Sequence, residues 1–222
     1  MEWWRAMSFR TAYGYSTSEN GWRMCNRDEC VIGGVIAGVP HSNTAPVRKG
    51  YAATILVAWM LYYHRHIERI STPVWGWSLE NDVANSNHLS GTAVDINAPL
   101  YPWGYRTMPA ARIAKVRKGL DAFNGVIYWG ADWDRPDEMH YQLAYPERDG
   151  RIKALADKLD AGYLELYRPA PGALRVHTVA RGETLSEIAG RYGVTVSRLA
   201  RANRIANVNV VRAGQRLTIP RP

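Results

Sequence analysis

The sequence predicts a mixed α+β fold followed by a second, much smaller β-α-α-β unit. Three observations carry this prediction. Hydrophobic residues make up 46% of the 222 residues, enough for a packed core. Helix-like and strand-like segments are mixed without a β-α-β rhythm, which disfavours a parallel sheet. Composition also changes along the chain. All nine tryptophans lie between Trp3 and Trp133, whereas Pro171 to Pro222 holds nine arginines, two glutamates and no lysine, +7 of the total +8. A basic module of this kind suits a polyanionic partner or a merely solvated surface.

Residues 1–47 are rich in aromatics, Gly and Asn with little periodicity, which predicts irregular structure with short turns. Residues 48–70 carry apolar side chains at helical spacing, with Ala52, Ile55, Leu56, Trp59 and Tyr62 forming a buried face. Their longest apolar run, Ala52 to Tyr63, is too short to span a bilayer. Thr92 to Asn97 alternates as a strand. Ala110 to Phe123 reads as a helix stopped by Asn124-Gly125. Gly125 to Trp129 and Met139 to Leu143 read as strands, and Ile152 to Leu159 as a closing helix. Prolines and a glycine between Tyr167 and Leu174 then mark a linker, dividing the chain into 1–165, a linker at 166–174, and 175–222.

In the last unit, Arg175 to Val179 and Gln215 to Ile219 read as strands, and Thr184 to Tyr192 and Val196 to Ala202 as helices. Thr184 has Glu187 three residues on, the spacing of a capping box. Leu185, Ile188, Leu199, Leu217 and Ile219 are assigned to its core. A unit this small suits binding rather than catalysis. Tyr192 is its only aromatic side chain, which argues against a single-strand nucleic-acid platform.

Cys25 and Cys30 are the only cysteines, too few for a four-thiolate zinc site; a short-loop disulfide and two free thiols both remain open. The first residues lack a basic segment followed by an apolar run, so no signal peptide is expected. His88, Asp95 and His140 are candidate metal ligands, because a catalytic zinc keeps three protein ligands and one open position. Gly91 permits a turn between the first two. By spacing alone, such a trio is more often a set of ordinary polar groups than a metal site. His41, His64, His66 and His177 have no partner pattern.

Ser86, His88, Gly91, Ala93 and Asp95 match S-x-H-x-x-G-x-A-x-D at every fixed position. Chance would produce that match in about one chain of this length in ten thousand. The motif resembles the first zinc motif of the VanY-type D-Ala-D-Ala carboxypeptidases and L-Ala-D-Glu endopeptidases, within the LAS group of zinc peptidases. Asp137 and His140 resemble the second motif, and Trp129-Gly130-Ala131-Asp132-Trp133 resembles the approach to it, with Ala131 in place of a Gly. The resemblance covers roughly residues 10–145. It implies a LAS-type peptidase domain with a small antiparallel sheet, Zn²⁺ held by His88, Asp95 and His140, and Asp137 as catalytic base. Glu138 is the neighbouring rival for that role, and Ser86 a candidate for binding a substrate carboxylate or the oxyanion. The family also grips substrate with an upstream arginine; Arg48, Arg65 and Arg69 are possible, and none has a matching motif.

Residues 177–220 resemble a LysM domain through Gly182-Glu183-Thr184-Leu185, Ile188-Ala189, Asn203 and Gly214-Gln215-x-Leu217-x-Ile219-Pro220. That resemblance implies a partner, the N-acetylglucosamine glycan of peptidoglycan, bound by Gly182, Glu183, Thr184 and by Asn207, Val208, Asn209 and Val210. The combined expectation is a monomeric phage endolysin that cuts the stem peptide at L-Ala-D-Glu, because an anchored enzyme lyses by cutting within the wall, after holin-type release from the cytoplasm. The alternatives are a D-Ala-D-Ala carboxypeptidase of wall remodelling and a non-catalytic glycan-binding protein.

Overall fold

The computed structural model describes residues 10–32, 39–167 and 175–220. The expectations for residues 1–9 and for most of the linker, 168–174, lie outside them. The fold is α+β, as the mixture of helix-like and strand-like segments predicts. Two main separate cores form, one drawn from residues between Trp22 and Tyr167 and the other from residues between Val179 and Ile219, beside a small cluster of Ala12, Met24 and Leu89. Leu166 and Tyr167, read as the start of the linker, are buried in the first core, and the Tyr167 hydroxyl donates to the Thr54 carbonyl at 2.6 Å.

The first unit opens with an antiparallel pair, β1 (Cys30–Ile32) and β2 (Pro46–Arg48), inside the segment expected to be irregular. Three residues per strand is too short for an alternating pattern to be legible. Helix α1 (Tyr51–Tyr62) follows and passes into a π turn at Tyr63–Ile67, so the regular α-helix is shorter than the 48–70 reading. Every residue from Ala52 to Tyr62 is buried, not one face alone. α1 is the central helix of the domain, hydrophobic all round because it is enclosed all round.

A three-stranded antiparallel sheet packs on α1. It comprises β3 (Ala93–Asp95), then, after α2 (Ala110–Ala122), β4 (Ile127–Trp129) and β5 (His140–Leu143), in the order β3-β5-β4. Trp59 of α1 meets Phe123 edge-on at 5.1 Å between ring centroids. Gly119 lets α2 approach closely: a Cβ there would stand 2.8 Å from the Tyr62 ring. α3 (Gly150–Asp160) packs against α1 and closes the domain.

The second unit pairs β6 (Arg175–Thr178) with β7 (Arg216–Ile219), antiparallel, around α4 (Leu185–Tyr192) and α5 (Val196–Ala202). The Thr184–Glu187 capping box forms as its spacing predicts. Asn203 ties α5 to β7, donating to the Leu199 and Thr218 carbonyls and accepting from the Thr218 amide. All five residues assigned to this core are buried.

Three of the nine arginines are engaged by partners among the described residues, Arg191 with Glu183 at 2.6 Å. Arg198 is buried, donates to the Tyr167 carbonyl at 2.6 Å and lies over the Tyr167 ring; Arg201 pairs with Asp160 at 2.9 Å. Both join the small unit to the end of α3. No helix among the described residues is long and apolar enough to cross a membrane.

Candidate metal centre

Three short segments converge at one end of the sheet. The first is a 3₁₀ turn, Asn87–Ser90, whose start is capped by the Ser86 hydroxyl accepting from the His88 amide at 3.3 Å. Gly91 ends it in the left-handed region at φ 69°. A Cβ there would lie 2.9 Å from both the Arg48 amide nitrogen and the Cys30 sulfur, so glycine answers both the turn and the packing. The chain then enters β3, and the antiparallel register sets Asp95 directly opposite His140 on β5. A bridge from Trp75 to Asp95 brings the Gly76 carbonyl up to His88.

His88 Nε2 lies 3.1 Å from Asp95 Oδ1 and 3.1 Å from His140 Nδ1, and His140 Nδ1 lies 3.0 Å from Asp95 Oδ1. A tetrahedral zinc with bonds of about 2.0–2.1 Å spaces its ligand atoms about 3.3 Å apart. The triangle therefore has the size and the donor chemistry for such an ion. These three residues form the one His/Cys/Asp/Glu cluster of metal-binding geometry among the described residues. Two imidazole nitrogens facing each other at 3.1 Å are otherwise a poor arrangement, since each presents a lone pair.

The surroundings determine those lone pairs. The Gly76 carbonyl, 2.7 Å from His88 Nδ1, can only accept, so Nδ1 carries the proton and Nε2 is bare. Gln142 does the same for His140. Its Nε2 donates to Glu19 at 2.8 Å, which turns its Oε1 toward His140 Nε2 at 2.9 Å. Asn87 donates to both Glu19 and Gln142. Such partners orient ligand imidazoles and raise their basicity. Sequence reasoning missed Glu19, Gly76, Asn87 and Gln142. Only Gln142 left a readable signal, two residues beyond His140 and so on the same strand face.

Asp137 and Glu138 lie in the turn before β5 rather than on the strand, and they have different surroundings. Glu138 is buried, accepts from the Thr107 and Met108 amides at 2.7 Å each, and does not line the cleft. That occupation distinguishes it from Asp137. Asp137 lines the cleft with Ser86, His88, Asp95 and His140, and its buried Oδ1 has no hydrogen-bond partner among the described residues. Burial, reinforced by the Asp95 charge and opposed by the two imidazoles, pushes its pKa up to about 6. Burial would also raise Asp95, but the adjacent imidazoles hold its carboxyl well below the ordinary range. Gly130 makes room for this turn: a Cβ there would stand 2.7 Å from the Asp137 carbonyl oxygen.

The cleft has a volume of about 840 Å³ and aromatic walls that include Trp75, Trp103 and Trp133. None of the arginines considered for substrate lines it. Arg48 is buried and donates to the Arg23 carbonyl, and Arg65 reaches the Leu166 carbonyl. Cys25 and Cys30 are both buried, with sulfurs 3.7 Å apart.

In the small unit, Gly182 adopts φ 88°, Glu183 pairs with His177 at 2.7 Å and Arg191 at 2.6 Å, and Thr184 caps α4. Asn207 accepts from the Asn209 amide, while Val208 and Val210 are exposed. Among the described residues, no hydrogen bond joins 182–184 to 207–210.

Residues 80–143 match a family described as D-alanyl-D-alanine carboxypeptidase, and residues 177–220 match the LysM domain. No solved structure matches the chain. The two matches fall on the two separate cores and make the protein a peptidase that acts on peptidoglycan and binds the wall. Residues 80–143 are thus similar to the D-alanyl-D-alanine carboxypeptidase family, and residues 177–220 to the LysM domain.

Proposed function

We propose that the protein is a zinc-dependent endolysin that hydrolyses an amide bond of the peptidoglycan stem peptide, L-Ala-D-Glu in preference to D-Ala-D-Ala. The observation that carries this reading is the triangle of His88 Nε2, Asp95 Oδ1 and His140 Nδ1, with edges of 3.0–3.1 Å, beside a buried Asp137 carboxylate whose Oδ1 has no hydrogen-bond partner among the described residues. His88, Asp95 and His140 would hold Zn²⁺, which would supply Lewis-acid chemistry toward water and the scissile carbonyl.

Asp137 takes the proton of the attacking water and returns it to the leaving amine. A pKa raised toward neutrality suits both tasks. Ser86 offers its hydroxyl to the developing oxyanion from the same cleft wall. The peptidase unit extends to Tyr167, the linker follows, and the LysM domain holds N-acetylglucosamine between Gly182–Thr184 and Asn207–Val210. Anchoring on the glycan favours an internal bond, whose cleavage opens the wall. The D-Ala-D-Ala reading is supported by the description of the matched family.

Mass spectrometry of peptides released from purified peptidoglycan distinguishes the two bonds. His88→Ala and His140→Ala are expected to lose both zinc and cleavage. Asp137→Ala is expected to keep zinc and lose about 10²- to 10⁴-fold in rate. Full activity in Asp137→Ala with loss in Glu138→Ala, or unchanged cleavage after exhaustive chelation, overturns the proposal.

A further inference from the structure

Arg135 is the only arginine or lysine among the residues that line the cleft, and the other charged groups there, apart from the two ligand histidines, are all acids. Its guanidinium carbon lies over the Trp103 ring, 3.6 Å from the ring centroid. Both partners are held in place. The Gly104 amide donates to the Pro136 carbonyl at 2.7 Å, joining the Trp103 loop to the Arg135 turn. Gly104 itself sits at φ 87°, and a Cβ there would approach Arg135 Nε to 3.2 Å. Among the described residues no carboxylate, carbonyl or hydroxyl accepts from Arg135, although Asp134 precedes it and also lines the cleft. A guanidinium stacked on an aromatic ring keeps its N–H edge available, and that planar fork matches a carboxylate. Asp137, which hands a proton to the leaving amine in the reading above, is two residues away.

We infer that Arg135 is a specificity-determining residue that binds the free carboxylate of the substrate residue on the leaving-amine side of the scissile bond. This inference rests on the peptidase reading and narrows its substrate class. Two sources share that chemistry: the α-carboxylate of a γ-linked D-Glu, and the terminal carboxylate of D-Ala. The surrounding acids discourage the same anion from settling elsewhere in the cleft. Walls in which that carboxylate is amidated are then poor substrates.

The test uses the zinc-loaded full chain and two matched pairs of synthetic peptides. One pair is L-Ala-γ-D-Glu-Lys with its D-Glu α-carboxylate free or amidated. The other is acetyl-Lys-D-Ala-D-Ala as the acid or the C-terminal amide. The parent protein is expected to cleave the acid of one pair about 10- to 100-fold faster than its amide, mostly through KM, and that pair identifies the source. Arg135→Gln is expected to remove the preference by slowing only the acid, with zinc content and melting temperature unchanged. Arg135→Lys should restore part of it, since an ammonium keeps the charge and loses the fork. Equal cleavage of acid and amide by the parent protein, or equal slowing of both by Arg135→Gln, overturns the inference while leaving the peptidase reading intact. No cleavage of any peptide or of peptidoglycan by the parent protein defeats the peptidase reading itself.

Discussion

Asp137 is 8% exposed, yet one of its oxygens has no hydrogen-bond partner among the described residues. A buried carboxylate in that state lowers stability unless something compensates for it. With a folded pKa near 6, above its unfolded value, the folded metal-free chain binds the extra proton more readily than the unfolded chain. This group's contribution therefore becomes less favourable as pH rises from about 4 to about 6, and above that it costs about 2–3 kcal/mol. Metal-free Asp137→Asn is expected to be more stable than the parent by up to that amount at pH 7 and equal to it near pH 4. Urea unfolding in chelator at the two pH values checks this; no difference at pH 7 would mean that the carboxylate is solvated or paired. The adjacent Asp137 and Glu138 could not be ranked from sequence by anything but resemblance. The amides of Thr107 and Met108, some thirty residues away along the chain, are what occupy Glu138.

The decisive element is the turn that joins the Asn87–Ser90 helix to β3. Gly91 N donates to the His88 carbonyl, and Gly91 O accepts from the Arg48 amide at 2.7 Å. The turn thus lies between His88 and Asp95 and against β2. Gly91→Ala forces a side chain into the left-handed region and into contact with the Arg48 backbone. It is expected to lower stability by about 1–3 kcal/mol and to weaken zinc binding. Thermal melting with a zinc titration reads both effects, and parent-like values for the two would show that the turn tolerates a Cβ. At this scale the sequence was informative: the motif spacing located the turn, and alternation located β3, β4 and β5 within a residue or two. The enclosure of α1 was not legible. Apolar spacing gives the phase of one buried face, whereas the number of neighbours around a helix depends on the rest of the chain.

Across the whole molecule, the two cores meet through side chains that looked like surface charge. Arg198 is 7% exposed, and Asp160 and Arg201 pair beside it. Arg198→Ala removes the bond to the Tyr167 carbonyl and leaves Asp160 with less compensation. It is expected to destabilise the LysM domain by about 1–3 kcal/mol without changing zinc binding. Denaturant unfolding followed by probes in each domain measures this; an unchanged LysM transition would show that the contact contributes nothing in solution.

The sequence alone determined the inventory of chemistry and the local grammar: two imidazoles and a carboxylate at motif spacing, a glycine between two of them, a capping box, and strands and helices in the right order. These depend on neighbours within a few residues, where periodicity and capping act. Only the tertiary structure decided which residues stand around that inventory. The pairing of Asp95 with His140, the Glu19–Gln142 support behind it, the separate positions of Asp137 and Glu138, and the placement of Arg135 on Trp103 all join segments distant along the chain. Strand register and packing set such contacts, and neither is encoded in the spacing of any one segment.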